Sequence, residues 1–548
     1  MPPTARPRPM AQPGLAGELL PDISELLHEW ARRPGAHPIL GDWRRAGHRR
    51  GADLPADPAG PVVPAADHGI LPDTGQDTSV ALQRALDDLG AGGGGVLLLS
   101  EGRYVLDRPL FIHDSHTVLR GAGTDGTTLF FTRPLAESLG PVIEEDGGQS
   151  AWSWTGGQVF LISRERLAAS GEAGWDITRA TEGWLPGPVQ AAVSPASRGT
   201  QILLVDSTAS ITSGAMALLE VDNLPDRALL REMTGGVPGA DTYEWGRRAA
   251  RITAPAGLAD YRSWRWPLVV TEVLNSRAVR TEQPLRLTIA PGIPARLRAL
   301  GATVHDSGVE NLTIENRLLA QTRHNRHPGS NGVCFQAVHD CWARDVRVVN
   351  ADCAYVLTSA KSCTLSGISY RGRALHHFVA CRAQSHDNLV EDFLLEEFTI
   401  APDPGSVVHG INLEGFSSGN VYRRGAMRAG TFDSHRQLPF ENLRTDITLY
   451  NTGHAGGAAD AGPRYGARTV NWGVTVTNGR NQNIDVSDSA PCSVTAGIVG
   501  LARPGSGEEG EFGSDLGSLR LAFGTELGAA RDLLDLQRGI APPHQPRS

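Results

Sequence analysis

The feature that most constrains this chain is a series of very short apolar segments recurring at nearly constant distance. Leu312-Thr313-Ile314, Val346-Arg347-Val348, Ile368-Ser369-Tyr370, Phe393-Leu394-Leu395, Gly425-Ala426-Met427 and Ile447-Thr448-Leu449 follow one another, with steps of 22 (346 to 368), 25 (368 to 393) and 22 residues (425 to 447). Strands this short do not span a sandwich. They fit the sides of a coil, and a repeat of this length lies in the range of solenoid rungs. The longer steps, 34 residues from 312 to 346 and 32 from 393 to 425, carry loop insertions. Insertions of that kind collect on the functional face of such a fold.

The same pattern appears upstream. Val96-Leu97-Leu98-Leu99, Tyr104-Val105-Leu106, Leu110-Phe111-Ile112, Thr117-Val118-Leu119 and Thr128-Leu129-Phe130-Phe131 are separated by Gly, Asp, Ser or Arg-Pro turns. An amphipathic helix precedes them over Thr78 to Leu89, started by Asp77 and ended by Gly90, with Ala81, Leu82, Ala85, Leu86 and Leu89 on one face. Three stretches carry a family resemblance: Asp77-Thr78 with its helix, Gly92-Gly93-Gly94-Gly95-Val96-Leu97-Leu98-Leu99 with Glu101-Gly102-Arg103-Tyr104, and Val118-Leu119-Arg120-Gly121-Ala122-Gly123. On these residues the chain resembles the pectate-lyase-like superfamily of right-handed parallel β-helices. The resemblance implies an all-β, right-handed parallel β-helix solenoid, here with helical N- and C-terminal additions, whose first helix caps the open end of the coil.

Five regions are expected. Residues 1–66 form an N-terminal helical extension and linker, with a capping box at Asp22 and Glu25 and a stripe of Ile23, Leu26, Leu27 and Trp30. Residues 67–140 hold the cap helix and first coils. Residues 141–300 are a Trp-rich insertion with seven of the eleven tryptophans (152, 154, 175, 184, 245, 264, 266), read either as a sugar-stacking wall or as the core of a subdomain. Residues 301–495 hold the main coils, and residues 496–548 a C-terminal helical cap with a helix over Leu516 to Gly539.

Composition narrows the function. The net charge of −9 gives no electrostatic case for nucleic acid or an anionic membrane, and no segment has the roughly 18 apolar residues of a membrane helix. Met1 to Gly14 is Pro- and Arg-rich with no apolar region after it. A cytoplasmic location is therefore expected, or secretion by a route without a conventional leader. Lys361 is the single lysine, so Schiff-base chemistry has one candidate. Five of six cysteines (334, 341, 353, 363, 381) fall within 48 residues with no CxxC pair. They read as buried reduced thiols, and neither a metal nor a cofactor is expected.

The candidate site lies between His376 and Trp472. His377, His409, His435 and His454 each follow a rung segment, by a variable gap, so stacking about 4.8 Å per rung brings them to one face. This stretch resembles an uncharacterised bacterial β-helix subgroup, through His376-His377, His409-Gly410, Asp433-Ser434-His435 and Gly462-Pro463-Arg464-Tyr465-Gly466 followed by Asn471-Trp472. That resemblance brings no established reaction; polysaccharide cleavage is the usual inference for relatives. Better-known subfamilies fit poorly: Arg503-Pro504 lies too late for a pectate-lyase base, and only Val408-His409-Gly410 echoes the polygalacturonase pattern.

Two mechanisms follow. In β-elimination, His377 or His435 is the base, Arg436 or Arg373 neutralises a uronate carboxylate, and His409 is the acid. In hydrolysis, two of Glu391, Glu414 and Asp433 flank the bond. His376, Arg373, Glu391, His454, Arg464 and Trp472 are the expected substrate-binding groups. The expected function is a carbohydrate-active enzyme cleaving an acidic polysaccharide or oligosaccharide. The alternatives are an intracellular enzyme using the cleft on a small molecule, which calls for a short closed cleft, and a non-catalytic glycan-binding scaffold. A monomer, or a homo-oligomer through the C-terminal helix, is expected.

Overall fold

A computed structural model describes residues 20–142, 148–168, 184–239, 263–457, 462–507 and 510–539. Two long sheets of parallel strands form the walls of a right-handed β-helix. The larger, sixteen-stranded sheet runs in hydrogen-bonded order from Val62–Pro64 through Gly95–Leu98, Thr117–Arg120, Gly308–Asn316, Trp342–Val349, Thr364–Ser366, Leu389–Glu391, Val421–Met427, Leu443–Leu449, Val470–Val476 and Val494–Ala496 to Leu519–Leu521. The second, eight-stranded wall stacks Leu110–Ile112, Val159–Leu161, Val333–His339, Cys353–Lys361, His377–Arg382, Gly410–Leu413 and Thr431–Ser434.

The centres of the repeated apolar segments are in strict register. Thr128 pairs with Thr313, Thr313 with Arg347, Arg347 with Ser369, Ser369 with Leu394, Leu394 with Ala426 and Ala426 with Thr448. Leu312, Val346, Ile368, Leu395, Met427, Ile447 and Leu449 point into one continuous core together with Val379, Ile411 and Phe432 from the second wall. Alternation along each strand explains this: one side chain in two enters the coil and the next faces out.

At one corner of the coil an asparagine ladder replaces apolar packing. Asn388 Nδ2 donates to Asn420 Oδ1 (2.8 Å) and Asn420 Nδ2 donates to Asn442 Oδ1 (3.0 Å). The same oxygens accept the main-chain N–H of Asn388 and Asn420 from the rung before. All three amides are buried, and each also donates to a turn carbonyl, of Ala360, Ser385 and Ser417.

The cap helix is Ser79–Ala91 and covers the end of the core with Leu82, Ala85, Leu86 and Leu89. The N-terminal helix, Pro21–Arg32, buries Ile23, Leu26, Leu27 and Trp30, but Leu20 stands at its N-cap and no side chain caps it, so Asp22 and Glu25 form no capping box. This helix lies against the outside of the larger wall, sharing a cluster with Leu389, Val421, Leu443, Val470 and the C-terminal Leu533 and Leu534. The expected linker contributes Val62–Pro64 as the first strand of the larger wall. At the C-terminus the helix is confined to Leu533–Gly539. Leu519–Leu521 is instead a strand of the last rung, and Gly524 and Gly528, both at positive φ, break the path between. No helix among the described residues is long and apolar enough to cross a membrane.

The insertion leaves the coil after Val159–Leu161, which still belongs to the second wall, and the chain returns at Gly308–Asn316. Within it Pro186–Val193, Ala295–Leu300, Met216–Val221, Trp264–Asn275, Ala278–Thr281 and Ile202–Leu204 form an antiparallel six-stranded sheet. Trp152, Trp184, Trp264 and Trp266 are buried, so these four pack cores, and Trp154 alone of the described five is partly open; Trp175 and Trp245 lie outside the described residues. All six cysteines are free, and Cys492 alone is not fully buried.

Two outcomes are expected. Asn420→Ala should lower unfolding free energy in urea by about 2–4 kcal/mol, because removing one amide strands its neighbours above and below; a change under about 0.5 kcal/mol would contradict the ladder's role. In the native state a thiol reagent should label Cys492 ahead of the other five, measured by mass spectrometry of the peptides; rapid uniform labelling would contradict their burial.

Candidate functional site

The second wall carries the site. His376 and His409 occupy the turn that precedes it on adjacent rungs: His376 N–H donates to Asp352 O (2.7 Å), His409 N–H to His376 O (2.9 Å) and Thr431 N–H to His409 O (2.9 Å). Gly410, at φ +98°, lets this turn approach the next one, since a Cβ there would stand 2.4 Å from Thr431 O. His377 opens its strand, whereas Asp433 lies in, and His435 just beyond, the strand Thr431–Ser434. The histidines therefore meet from both ends of their strands, not from one repeated phase.

The rings are in contact. Centroids are 4.7 Å apart for His377 and His409, 4.6 Å for His409 and His435, 5.1 Å for His377 and His435, and 4.3 Å for His376 and His377. Asp433 sits among them. Its Oδ2 accepts from His435 Nδ1 (2.6 Å) and lies 3.6 Å from His377 Nε2 and 3.8 Å from His409 Nδ1; its Oδ1 accepts Gly456 N–H (2.5 Å). One donor atom from each of His377, His409, Asp433 and His435 lies within 4.8 Å of the other three. His324 and His327, from the loop between two rungs, extend the cluster: His324 is 4.8 Å and His327 4.9 Å from His376.

Two hydrogen bonds fix tautomers. His409 Nδ1 faces the carbonyl of His454 (2.6 Å) and His376 Nδ1 the carbonyl of Ser153 (2.7 Å). A carbonyl only accepts, so both protons sit on Nδ1 and both Nε2 atoms carry bare lone pairs. Nε2 of His376, His377 and His409 is buried with no protein hydrogen bond. Burial disfavours the imidazolium, pushing His377 down to about 4 and holding His376 and His409 well below the ordinary value, with the neighbouring imidazoles adding to it. His435 goes the other way: burial opposes its charge, but the Asp433 carboxylate outweighs it and raises its pKa. Burial likewise opposes the Asp433 anion, but His435 and His409 hold it well below the carboxylate range. At neutral pH the site holds an Asp433–His435 ion pair beside neutral imidazoles.

The expectation of an exposed groove does not hold for most of the cluster. His377 is 2% and His409 1% exposed, whereas the His435 side chain reaches 22%. The mouth beside His435 is formed by Arg382, Glu414 and the partly open Trp154: Arg382 Nε donates to Glu414 Oε1 (2.5 Å), Asn412 Nδ2 to Glu414 Oε2 (3.2 Å), and Arg382 also bonds the Trp154 carbonyl.

The sequence-derived site residues thus divide. His376, His377, His409, Asp433, His435 and Glu414 come together. His454 contributes its carbonyl while its side chain is exposed. Arg436 turns from the cluster to Glu511 and the carbonyls of Gly457 and Gly462. Arg373 is buried on Asp352 (2.5 Å) and braces the turn below His376. Arg464 uses main-chain groups, to Ser434 and Glu511. Glu391 lies on the larger wall, paired with Arg424 (2.8 Å), and Trp472 is core there, its indole N–H on Ala530 O (2.8 Å). These two strands face away because residues of one rung that are over twenty positions from the histidines belong to the other wall. Sequence reasoning missed His324, His327, Arg382 and Trp154. The signal for the first two was the long step after Leu312, and for Arg382 its outward phase, register-matched with Glu414.

No protein-family model and no curated protein matches the chain. Solved structures similar to it include the tailspike of Pseudomonas phage phi297 (9% identity, TM-score 0.33, 80% of this chain and 63% of that one), that of Pseudomonas phage LKA1 (11%, 0.39, 80% and 71%) and the A-module of an Azotobacter vinelandii mannuronan C-5 epimerase (12%, 0.29, 84% and 94%). The match spans less than two thirds of the phi297 tailspike.

Gly456 lets the turn close over the His435 ring, since a Cβ there would stand 1.8 Å from His435 Cε1. Gly456→Ala should displace the ring from Asp433 and cost about 1–3 kcal/mol as overpacking, read from urea unfolding and a crystal structure; an unmoved ring would contradict this close approach.

Proposed function

We propose that the chain is a carbohydrate-active β-helix enzyme that acts on an acidic sugar at the histidine–aspartate cluster, with elimination favoured over two-carboxylate hydrolysis. The observation that carries this reading is the pairing of opposed environments in one pocket: a cationic His435 beside neutral His377 and His409, all gathered on Asp433. Groups whose surroundings push their protonation apart are the ones that donate and accept protons in a reaction. Hydrolysis needs a second carboxyl held protonated as an acid. Asp433 is held anionic, Glu414 is bound by Arg382 and Asn412, and Glu391 is on the other wall.

His435 is the part of the His377–His409–Asp433–His435 set that solvent reaches, so the substrate meets the cluster there. Arg382 takes the role first given to Arg436, presenting a guanidinium at the mouth for a sugar carboxylate in exchange with Glu414. Trp154 supplies a face for the sugar ring. The burial of the other imidazoles favours a second reading, an enzyme acting on a short oligosaccharide or other small acidic molecule, because a polymer reaches only the rim.

A panel of uronate-containing polymers and oligomers tests both, with unsaturated uronate ends and new reducing ends measured separately. Elimination yields both and hydrolysis only the second. His435→Gln should lower turnover roughly 10²-fold or more, the usual weight of an acid or base, while its circular dichroism stays that of the parent. Arg382→Gln should raise KM more than it lowers kcat. Unchanged turnover in His435→Gln would overturn the site, and altered affinity without any turnover in the parent would leave a binding scaffold.

A further inference from the structure

We propose that His377, His409, His435 and Asp433 bind one divalent transition-metal ion of the zinc type. The lack of a CxxC pair argues only against a thiolate site; this donor set is three imidazoles and a carboxylate, drawn from three successive rungs. Imidazole nitrogens suit zinc, iron, cobalt, nickel and copper, whereas calcium and magnesium require oxygen-rich shells that one carboxylate does not supply.

Two independent features point to an ion. The first is spacing. The four donor atoms lie within 4.8 Å of one another, and His377 Nε2 is 3.6 Å from Asp433 Oδ2. Donors around a tetrahedral zinc are about 3.3 Å apart for bonds near 2.0–2.1 Å, so this edge needs a movement of only a few tenths of an ångström. The second is the unpartnered lone pairs. Nε2 of His377 and of His409 are buried without a protein hydrogen bond, and a bare buried acceptor costs about 1–3 kcal/mol. In His409 the other nitrogen is held by the His454 carbonyl, and in His435 by Asp433. A carbonyl or carboxylate on the far ring nitrogen is the outer support that orients metal-binding histidines.

Other placements explain less. His305 and His339 each donate to the following aspartate, but His305, Asp306 and His116 are open to solvent and Asp306 is taken by Arg49. Lys361, Asp387, Arg286 and Glu441 already satisfy one another.

The catalytic meaning of the ion rests on the function proposed above, since a cation at the His435 mouth would neutralise the carboxylate of an acidic sugar, as elimination requires; its binding does not depend on that reading. The test uses the full chain without a histidine tag, stripped with a chelator and dialysed. Calorimetric titration with Zn²⁺, Co²⁺, Ni²⁺, Mn²⁺ and Fe²⁺ should show binding of about one ion per chain, with added Zn²⁺ raising the Tm of the unaltered protein. The Co²⁺ form should show the visible bands of nitrogen and oxygen ligation and no thiolate charge-transfer band. His377→Ala and His409→Ala should each weaken binding roughly tenfold or more, while His305→Ala leaves it unchanged. Because the buried variants can unfold, the Tm shift and the cobalt spectrum of the parent decide independently of them. No uptake of any of the five ions, a thiolate band, or loss of binding in His305→Ala would overturn the site. An ion bound with no turnover of any acidic glycan would uphold the metal and sink the substrate reading. Full turnover in the stripped protein with no ion taken up would do the reverse.

Discussion

Everything in this molecule depends on the parallel hydrogen-bond ladder between successive rungs. It fixes the vertical spacing of the chain at about 4.8 Å and so decides which residues can touch. The separation of the His377 and His409 rings, 4.7 Å, is that spacing reproduced in side chains. The asparagine ladder reproduces it again, one amide to the next. Residues 32 positions apart in the chain become neighbours because the coil returns to the same wall, and a solenoid can thus build a dense polar cluster without any residues being close in sequence.

The cluster works against the stability of the wall that holds it. Three imidazoles, a carboxylate and a cationic histidine occupy positions where other rungs place alanine, cysteine or valine. A buried carboxylate is tolerated because His435 and the Gly456 N–H satisfy it, and the imidazoles remain uncharged to limit desolvation. Arg373, Asp352 and the Gly329 and Ser330 N–H groups stiffen the turn beneath. The polar groups that make chemistry possible are thus held by a second layer of polar groups with no chemistry of their own.

Much of the coil is legible in the sequence, because its period is written twice: in the spacing of apolar triplets and in their alternation. Thr313, Arg347, Ser369, Leu394, Ala426 and Thr448, the centres of the six triplets, do form one register column. The cap helix shifts by only a residue or two from its expected bounds. The ends were less legible: Leu516 to Gly539 carries a helical leucine pattern, but its glycines and one rung strand divide it. In the site, the histidines meet while Arg436, Glu391 and Trp472 do not, since sequence phase says which residues face outward and not which wall they occupy. Nor does it show that loop residues such as His324 fold back over the cluster, or that Asp433 would be the atom they share.

The inserted sheet is joined to the coil through buried charge. Arg286 reaches both Asp387 and Glu441, Lys361 meets Asp387, Gln283 accepts from Lys361 (2.7 Å), and Arg198 and Arg468 complete the shell of Glu441. Trp266 adds its indole N–H to Asp387 (3.0 Å). Arg198, Trp266, Gln283 and Arg286 belong to the insertion; the two carboxylates belong to the coil. A shortened chain lacking the insertion would leave two carboxylates and the single lysine of the protein in a low-dielectric seam without their counterions. The excursion is therefore not an ornament that evolution or an engineer can trim away: the solenoid and its passenger are electrically one body, and each is insoluble as a problem of charge without the other.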